Sequence, residues 1–265
     1  MTERLSIELA DGVADVRLAR ADKMNALDPV MFDALVAACE RLGRERGLRA
    51  VVLSGEGRAF CAGLDLNSFA TMTDGGFRDV EARTHGICNA FQYAVLGWRE
   101  LAVPVIAAVH GVAFGGGFQL ALGADMRFVA PDTRMSIMEI KWGIVPDMGG
   151  SILMRGLARD DVVRELTYSG RVFSAAEAQT LGFATRLCAD PRTEALAVAR
   201  EIAGKNPHAV RAAKRLSNLA AAGTEAECLL AESREQAALI GTPNQIEAVM
   251  ANMAKRTPRF SDPVG

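Results

Sequence analysis

The chain has 265 residues, enough to bury one sizeable core, or a core with an appendage. Half of the residues are apolar and 23% are charged, the balance of an ordinary globular protein. With 30 basic and 32 acidic side chains the formal net charge is −2, which excludes a global field for nucleic acid or anionic membrane and confines any anion site to local groups.

In chain order, residues 4–9 and 13–18 alternate on either side of Gly12 and predict a hairpin. Asp28-Pro29, an N-cap followed by proline at the first helical position, opens a helix to about residue 46. Residues 50–53 form a short buried strand, followed by the Gly55-Glu56-Gly57 turn and a loop to residue 70. A long helix is expected over roughly residues 76–101. Residues 104–110 are almost continuously apolar, as a strand buried on both faces requires. A glycine run follows, then a short helix near residues 118–122 and strands at 126–129 and 135–137. Residues 149–156 begin a helical stretch, and Ser174 with Glu177 makes a capping box for a helix over 175–181. After a strand at 183–187 the chain reads as helix from Pro191, broken at Asn206-Pro207, Gly223-Thr224 and Thr242-Pro243. Segments 50–66, 105–120 and 126–140 look alike, which points to an α/β core of stacked repeats with a helical C-terminal region.

Cys39, Cys61, Cys88, Cys188 and Cys228 are odd in number and lack a CxxC pair, so reduced thiols in a cytoplasmic protein are expected. His85, His110 and His208 are scattered and make no metal set with them. The N-terminus lacks the cationic-then-apolar pattern of a signal peptide, and no apolar stretch reaches the ~18 residues of a membrane span.

Three segments could carry chemistry. Gly115-Gly116-Gly117 follows a buried strand and leads into a helix, a place that leaves backbone N–H groups free for a phosphate, a carboxylate or an oxyanion. It lacks both the dinucleotide spacing and the lysine and hydroxyl of a nucleoside-triphosphate loop. Residues 57–66 follow another strand, and their small side chains let a ligand approach the backbone. Two such loops after parallel strands can each offer an N–H to one oxygen. Residues 138–150 place Glu139 and Asp147 among apolar neighbours, which raises carboxylate pKa values toward proton-transfer chemistry. Glu139 could instead pair with Lys141 or an arginine, and Asp147 could cap the helix entered at Gly149-Gly150. There is no GxSxG elbow for serine hydrolysis.

Taken in order, these segments resemble the crotonase (enoyl-CoA hydratase/isomerase) superfamily over nearly the whole chain. The resemblance runs from Asp22-Lys23-Met24-Asn25-Ala26-Leu27 through residues 60–66, 107–120 and 139–150 to Lys255-Arg256-Thr257-Pro258-Arg259-Phe260. It implies a spiral of ββα units over residues 1–206 and a helical trimerisation region over 207–265, building trimers or hexamers as dimers of trimers. It implies an oxyanion hole from the N–H groups of Leu64 and Gly116, and substrate or CoA contacts at Lys23, Met24, Ala26, Ala62, Asp65, Leu66 and Gly115. Lys255 and Phe260 would reach the nucleotide end, on this or an adjacent subunit, and Arg20, Lys23 and Arg58 are candidate phosphate partners. Coenzyme A enters as part of the acyl-CoA thioester. No metal, flavin or nicotinamide, no nucleic acid and no membrane is implied.

The sequence departs from the family pattern at one position. Family hydratases use two glutamates; the second is Glu139, but the first position holds Gln119, which can hold a water yet cannot accept a proton as a carboxylate does. Some family isomerases carry an acid where Asp147 stands. The expected reaction is therefore double-bond migration in an unsaturated fatty acyl-CoA, with Glu139 and Asp147 as catalytic acids. One alternative is a hydratase of trans-2-enoyl-CoA in which Gln119 orients water and Glu139 makes both proton transfers. Another, of a different class, is a catalytically silent binding subunit.

Overall fold

A computed structural model of the chain describes residues 4–65 and 80–263. Strands β1 (Leu5–Ala10) and β2 (Val13–Leu18) form the expected antiparallel hairpin. Helix α1 (Pro29–Gly43) begins where Asp28 accepts the Met31 N–H at 2.8 Å, and it returns the chain to β3 (Ala50–Gly55), parallel to β2. Helix α2 (Ala90–Glu100) is much shorter than the helix expected from residue 76. Asn89 and Gln92 form a reciprocal capping box that starts the helix there, and residues 80–89 are turns and loop.

Strand β4 (Val105–Val109) joins the sheet parallel to β3. Next, β5 (Val112–Phe114), which the glycine run masks in the sequence, starts a second sheet. Helix α3 (Gly116–Leu122), β6 (Met126–Val129) and β7 (Arg134–Ser136) follow, then a 3₁₀ turn at Glu139–Trp142. The helical stretch expected from residue 149 divides into α4 (Gly150–Met154) and α5 (Asp160–Ser169). Strand β8 (Phe173–Ser174), α6 (Ala175–Leu181), β9 (Arg186–Leu187), α7 (Pro191–Ala203), α8 (Pro207–Ala220), α9 (Glu225–Leu239) and α10 (Pro243–Met253) complete the order. The larger sheet runs β1-β2-β3-β4-β6-β9, parallel from β2 onward, and the smaller runs β5-β7-β8.

The central strands are buried on both faces, which explains their unbroken apolar character. Val13, Ala50, Val52, Ile106, Ala108 and Phe128 face Ala195, Ala199 and Ala203 of α7, whose small side chains let the helix lie close across the sheet. Val51, Leu53, Val105, Ala107 and Val109 point the other way, into the main core with α1 and α2. No helix among the described residues is long and apolar enough to cross a membrane.

The C-terminal helices are fastened by a buried cation. Lys214 on α8 donates to the carbonyls of Val103 (2.8 Å) and Trp98 (3.3 Å) and pairs with Asp125 at 2.9 Å; Asp125 also accepts the Val105 N–H at 2.7 Å. Burial lowers the lysine pKa and Asp125 opposes that shift. Removing the ammonium strands two carbonyls and a carboxylate together. Lys214→Met is therefore expected to cost about 3–5 kcal/mol in denaturant unfolding, and a loss below about 1 kcal/mol would show that the fastening is dispensable.

Candidate active site

The site lies beyond the C-terminal ends of β3 and β4, where the chain keeps pairing after the strands end. Leu27 bridges Leu64 in parallel fashion: the Leu27 N–H donates to the Gly63 carbonyl (2.8 Å) and the Asp65 N–H to the Leu27 carbonyl (2.9 Å). In that pattern the N–H of Leu64 itself points away from Leu27. Cys61 bridges Ala113 in the same way, through bonds of 3.1 Å to the Val112 carbonyl and from the Phe114 N–H. Gly63, at φ +90°, allows the two loops to touch, since a Cβ there would sit 2.6 Å from the Phe114 carbonyl oxygen and 3.8 Å from the Gly116 nitrogen. The chain then turns at Gly115, and Gly116 is the first residue of α3. Neither the Leu64 nor the Gly116 N–H has an acceptor among the described residues.

Leu64 and Gly116 both line a cavity of about 1220 Å³. Lys23, Met24, Ala26, Ala62, Asp65, Gly115, Glu139 and Asp147 line it too, so it gathers most of the residues singled out in the sequence. Leu66 lies outside the described residues. Phe91, Phe114, Trp142 and Met148 supply apolar wall, whereas Trp98 is plain core with its indole N–H on the Ala94 carbonyl. Lys255 and Phe260 are not in this wall. The Phe260 carbonyl accepts from Arg49, just before β3, so the C-terminal segment lies at the opposite end of the parallel strands.

Two of the three candidate phosphate partners stand away from the cavity wall. Arg20 pairs with Asp65 at 2.6 Å, approaches Asp28 at 3.6 Å and donates to the Ala26 carbonyl, so it braces the loop. Arg58 is exposed and outside the cavity wall. Asn25 escaped notice in the sequence. Fully buried, it donates to the Glu56 (3.0 Å) and Ala59 (2.8 Å) carbonyls and accepts the Arg20 N–H, tying the loop at 20–27 to the loop after β3. Its left-handed backbone, shared with Met24, is tolerated best by asparagine and glycine, which was the available signal.

Glu139 is 6% exposed and makes no ion pair among the described residues; Lys141 turns out over the Trp142 ring. Its Oε1 accepts from Gln119 Nε2 at 2.7 Å, while its Oε2 is buried with no partner. Burial pushes this carboxyl above its ordinary value, its own backbone N–H and then the hydrogen bond from Gln119 oppose the rise, and the Asp147 charge adds to it. Gln119 does not hold a water through its carbonyl, because that oxygen already accepts the Met148 and Gly150 N–H groups, both at 3.0 Å. Asp147 does not cap α4: Gly149 occupies the N-cap, and no side chain bonds there. Asp147 keeps much of its surface open to the cavity, and crowding by protein on its other side raises its pKa. No group of histidine, cysteine or carboxylate side chains among the described residues could hold a metal.

A family model described as enoyl-CoA hydratase/isomerase matches residues 8–263. The chain belongs to the enoyl-CoA hydratase/isomerase family. This crotonase-superfamily chain is 32% identical to the Mycobacterium tuberculosis protein named "Probable enoyl-CoA hydratase echA8", over 98% of each. It is 30% identical to a hydroxycinnamoyl-CoA hydratase-lyase of Pseudomonas fluorescens, over 79% of this chain and 76% of that one. The crystal structure of an enoyl-CoA hydratase from Bacillus anthracis superposes with a TM-score of 0.88 at 29% identity, covering 97% of this chain and 98% of the other.

The raised pKa of Glu139 has a consequence for stability. Below the ordinary carboxylate value of 4.5 the residue is neutral in both folded and unfolded chains and carries no penalty. As pH rises past that value the unfolded chain releases its proton first, so the folded state loses stability until the folded carboxyl has ionised as well. Glu139→Gln keeps the shape and the contact with Gln119. It is expected to raise Tm relative to wild type at pH 8, with the gain vanishing near pH 4. An equal difference at both pH values would show that Glu139 is not strained by ionisation.

Proposed function

We propose that this family member processes acyl-CoA thioesters through an enolate, with the Leu64 and Gly116 N–H groups as the oxyanion hole and Glu139 as the proton-transfer group. The carrying observation is the unpaired, buried Oε2 of Glu139, in the wall of the same cavity as Leu64 and Gly116, whose N–H groups lack acceptors among the described residues. A thioester α-proton is weakly acidic because its removal places charge on the carbonyl oxygen. Two fixed donors stabilise that charge where it forms, each typically worth about 10²–10³ in rate. A carboxylate of raised pKa then accepts the proton.

Double-bond migration is the reaction we favour. Gln119 has no free lone pair for a water, and of the other acids in the cavity wall Asp147 is the one whose charge bears on Glu139. Glu139 would remove a proton from one carbon, and Glu139 or Asp147 would return one to another. Water addition is the second reading, favoured by the relatives, which carry hydratase names. In either case the substrate brings coenzyme A with it, and Lys23, Met24, Ala26, Ala62, Asp65 and Gly115 are the proposed contacts. Lys255 and Phe260 would contribute only to the cavity of another copy in a trimer or hexamer.

A panel of β,γ-unsaturated, dienoyl and α,β-unsaturated acyl-CoAs tests this, following conjugated product and water incorporation together. Migration is expected to outrun hydration, Glu139→Gln to lower it about 10²–10⁴-fold, and Asp147→Asn to slow migration. Rapid hydration of crotonyl-CoA, unaffected by Asp147→Asn, would overturn the migration reading in favour of the hydratase.

A further inference from the structure

Gln119 lies near the start of α3, 1% exposed, where three segments meet. Its partners fix which way the amide faces. The Met148 and Gly150 N–H groups can only donate, so the carbonyl oxygen faces them, and the NH₂ must face Glu139. Both lone pairs of that oxygen are filled. Gly150 makes the approach possible, because a Cβ there would lie 2.6 Å from the oxygen. Asp147 immediately precedes Met148, so the segment carrying the second acid hangs from the same amide. A glutamate in this place would set two carboxylate oxygens where Nε2 and Oε1 now stand 2.7 Å apart, and the pair would need a shared proton.

We propose that Gln119 is a positioning residue: it occupies Glu139 Oε1, leaves Oε2 as the Glu139 oxygen that exchanges a proton with substrate, and sets the Asp147 segment against it. The inference rests on Glu139 being the proton-transfer group. It assigns glutamine a purpose that a second carboxylate could not serve, which is to donate to Glu139 at every pH and so hold it as an ionised base. The titratable group bearing on Glu139 is Asp147. Lys23, Asp65 and Glu81 stand on other parts of the cavity wall, Asp65 paired with Arg20, and Lys141 is turned out over Trp142.

The test is an infrared titration of the Glu139 carboxyl in wild type, Gln119→Leu and Gln119→Glu, with Glu139→Gln assigning the band, alongside pH profiles of kcat. Loss of the donor in Gln119→Leu is expected to move the Glu139 titration up by about one to two pH units. In Gln119→Glu the upper of the pair's two apparent values is expected to rise further. The acid limb of kcat should move with the band while KM stays within about twofold. Titrations of both variants that coincide with wild type would overturn the proposal. Should Gln119→Leu fail to fold, Gln119→Glu, which keeps an acceptor for both N–H groups, decides alone. The infrared readout needs no turnover. A wild type that converts no acyl-CoA would sink the proposed function, and the titration would still decide what Gln119 does.

Discussion

Parallel pairing that continues past the ends of β3 and β4 decides which way every backbone group in the cavity points. A parallel bridge uses the N–H and C=O of one residue and turns those of its opposite number away. At Leu27 and Leu64 the residue turned away is Leu64, and its amide is left for the cavity. The bridge between Cys61 and Ala113 holds the second loop against the first, and the helix that begins at Gly116 leaves another amide without a partner. Asn25 and the pair of Arg20 with Asp65 lock the loop at 20–27 onto this arrangement. The donors are thus fixed by the sheet behind them, with no side-chain ordering needed when a ligand arrives.

The acid opposite those donors is held under strain. A buried polar atom left unpaired costs about 1–3 kcal/mol, and Glu139 Oε2 is such an atom beside an Oε1 that accepts from Gln119. Native structures rarely keep one without a use. A stable fold could have been reached by pairing Glu139 with Lys141, two residues away, but that lysine is turned toward the Trp142 ring. The contrast with Lys214 is instructive. That buried charge makes three polar contacts at the other end of the sheet and serves to fasten α8. One buried ion is completed and structural; the other is left half-bonded and faces the cavity.

Much of the fold was legible because the strands are buried on both faces and helices carry explicit caps: Asp28 and Ser174 accept the expected N–H groups. The helix expected over 76–101 was too long because its apolar spacing runs on upstream of Asn89, and only the reciprocal bonds of Asn89 and Gln92 mark the true start. Strand β5 was hidden because three residues pair outside the main sheet, a relation that local patterns do not carry. At the site, glycines and acids could be found by their order along the chain. The state of Gln119 could not, since its three partners come from Glu139, Met148 and Gly150, and residue type alone allows either a held water or a filled carbonyl. For the same reason residue type alone allows Asp147 as a cap, as an acid or as both, and only Gly149 in the cap position excludes the cap.

Charge bookkeeping links these features on the proposed reading. Passing a proton from an acyl carbon to Glu139 moves one negative charge from the carboxylate to the thioester oxygen and leaves the net charge of the cavity unchanged. Donors are then needed where charge arrives and are unwelcome where it departs. The unbonded amides of Leu64 and Gly116 and the unbonded Oε2 of Glu139 fit both halves of that requirement. A donor on either oxygen stabilises the resting anion and lowers its basicity, but one on Oε2 would also block the reacting atom, whereas the donor on Oε1 leaves it free. Water addition needs a further group to hold the water beside the acyl carbon, and with the Gln119 carbonyl filled that task would fall to Glu139 alone or to Asp147. Double-bond migration needs no held water. On this reading the choice between the two reactions turns on the Asp147 carboxyl, whose neighbours along the chain are held by the Met148 and Gly150 amides on Gln119.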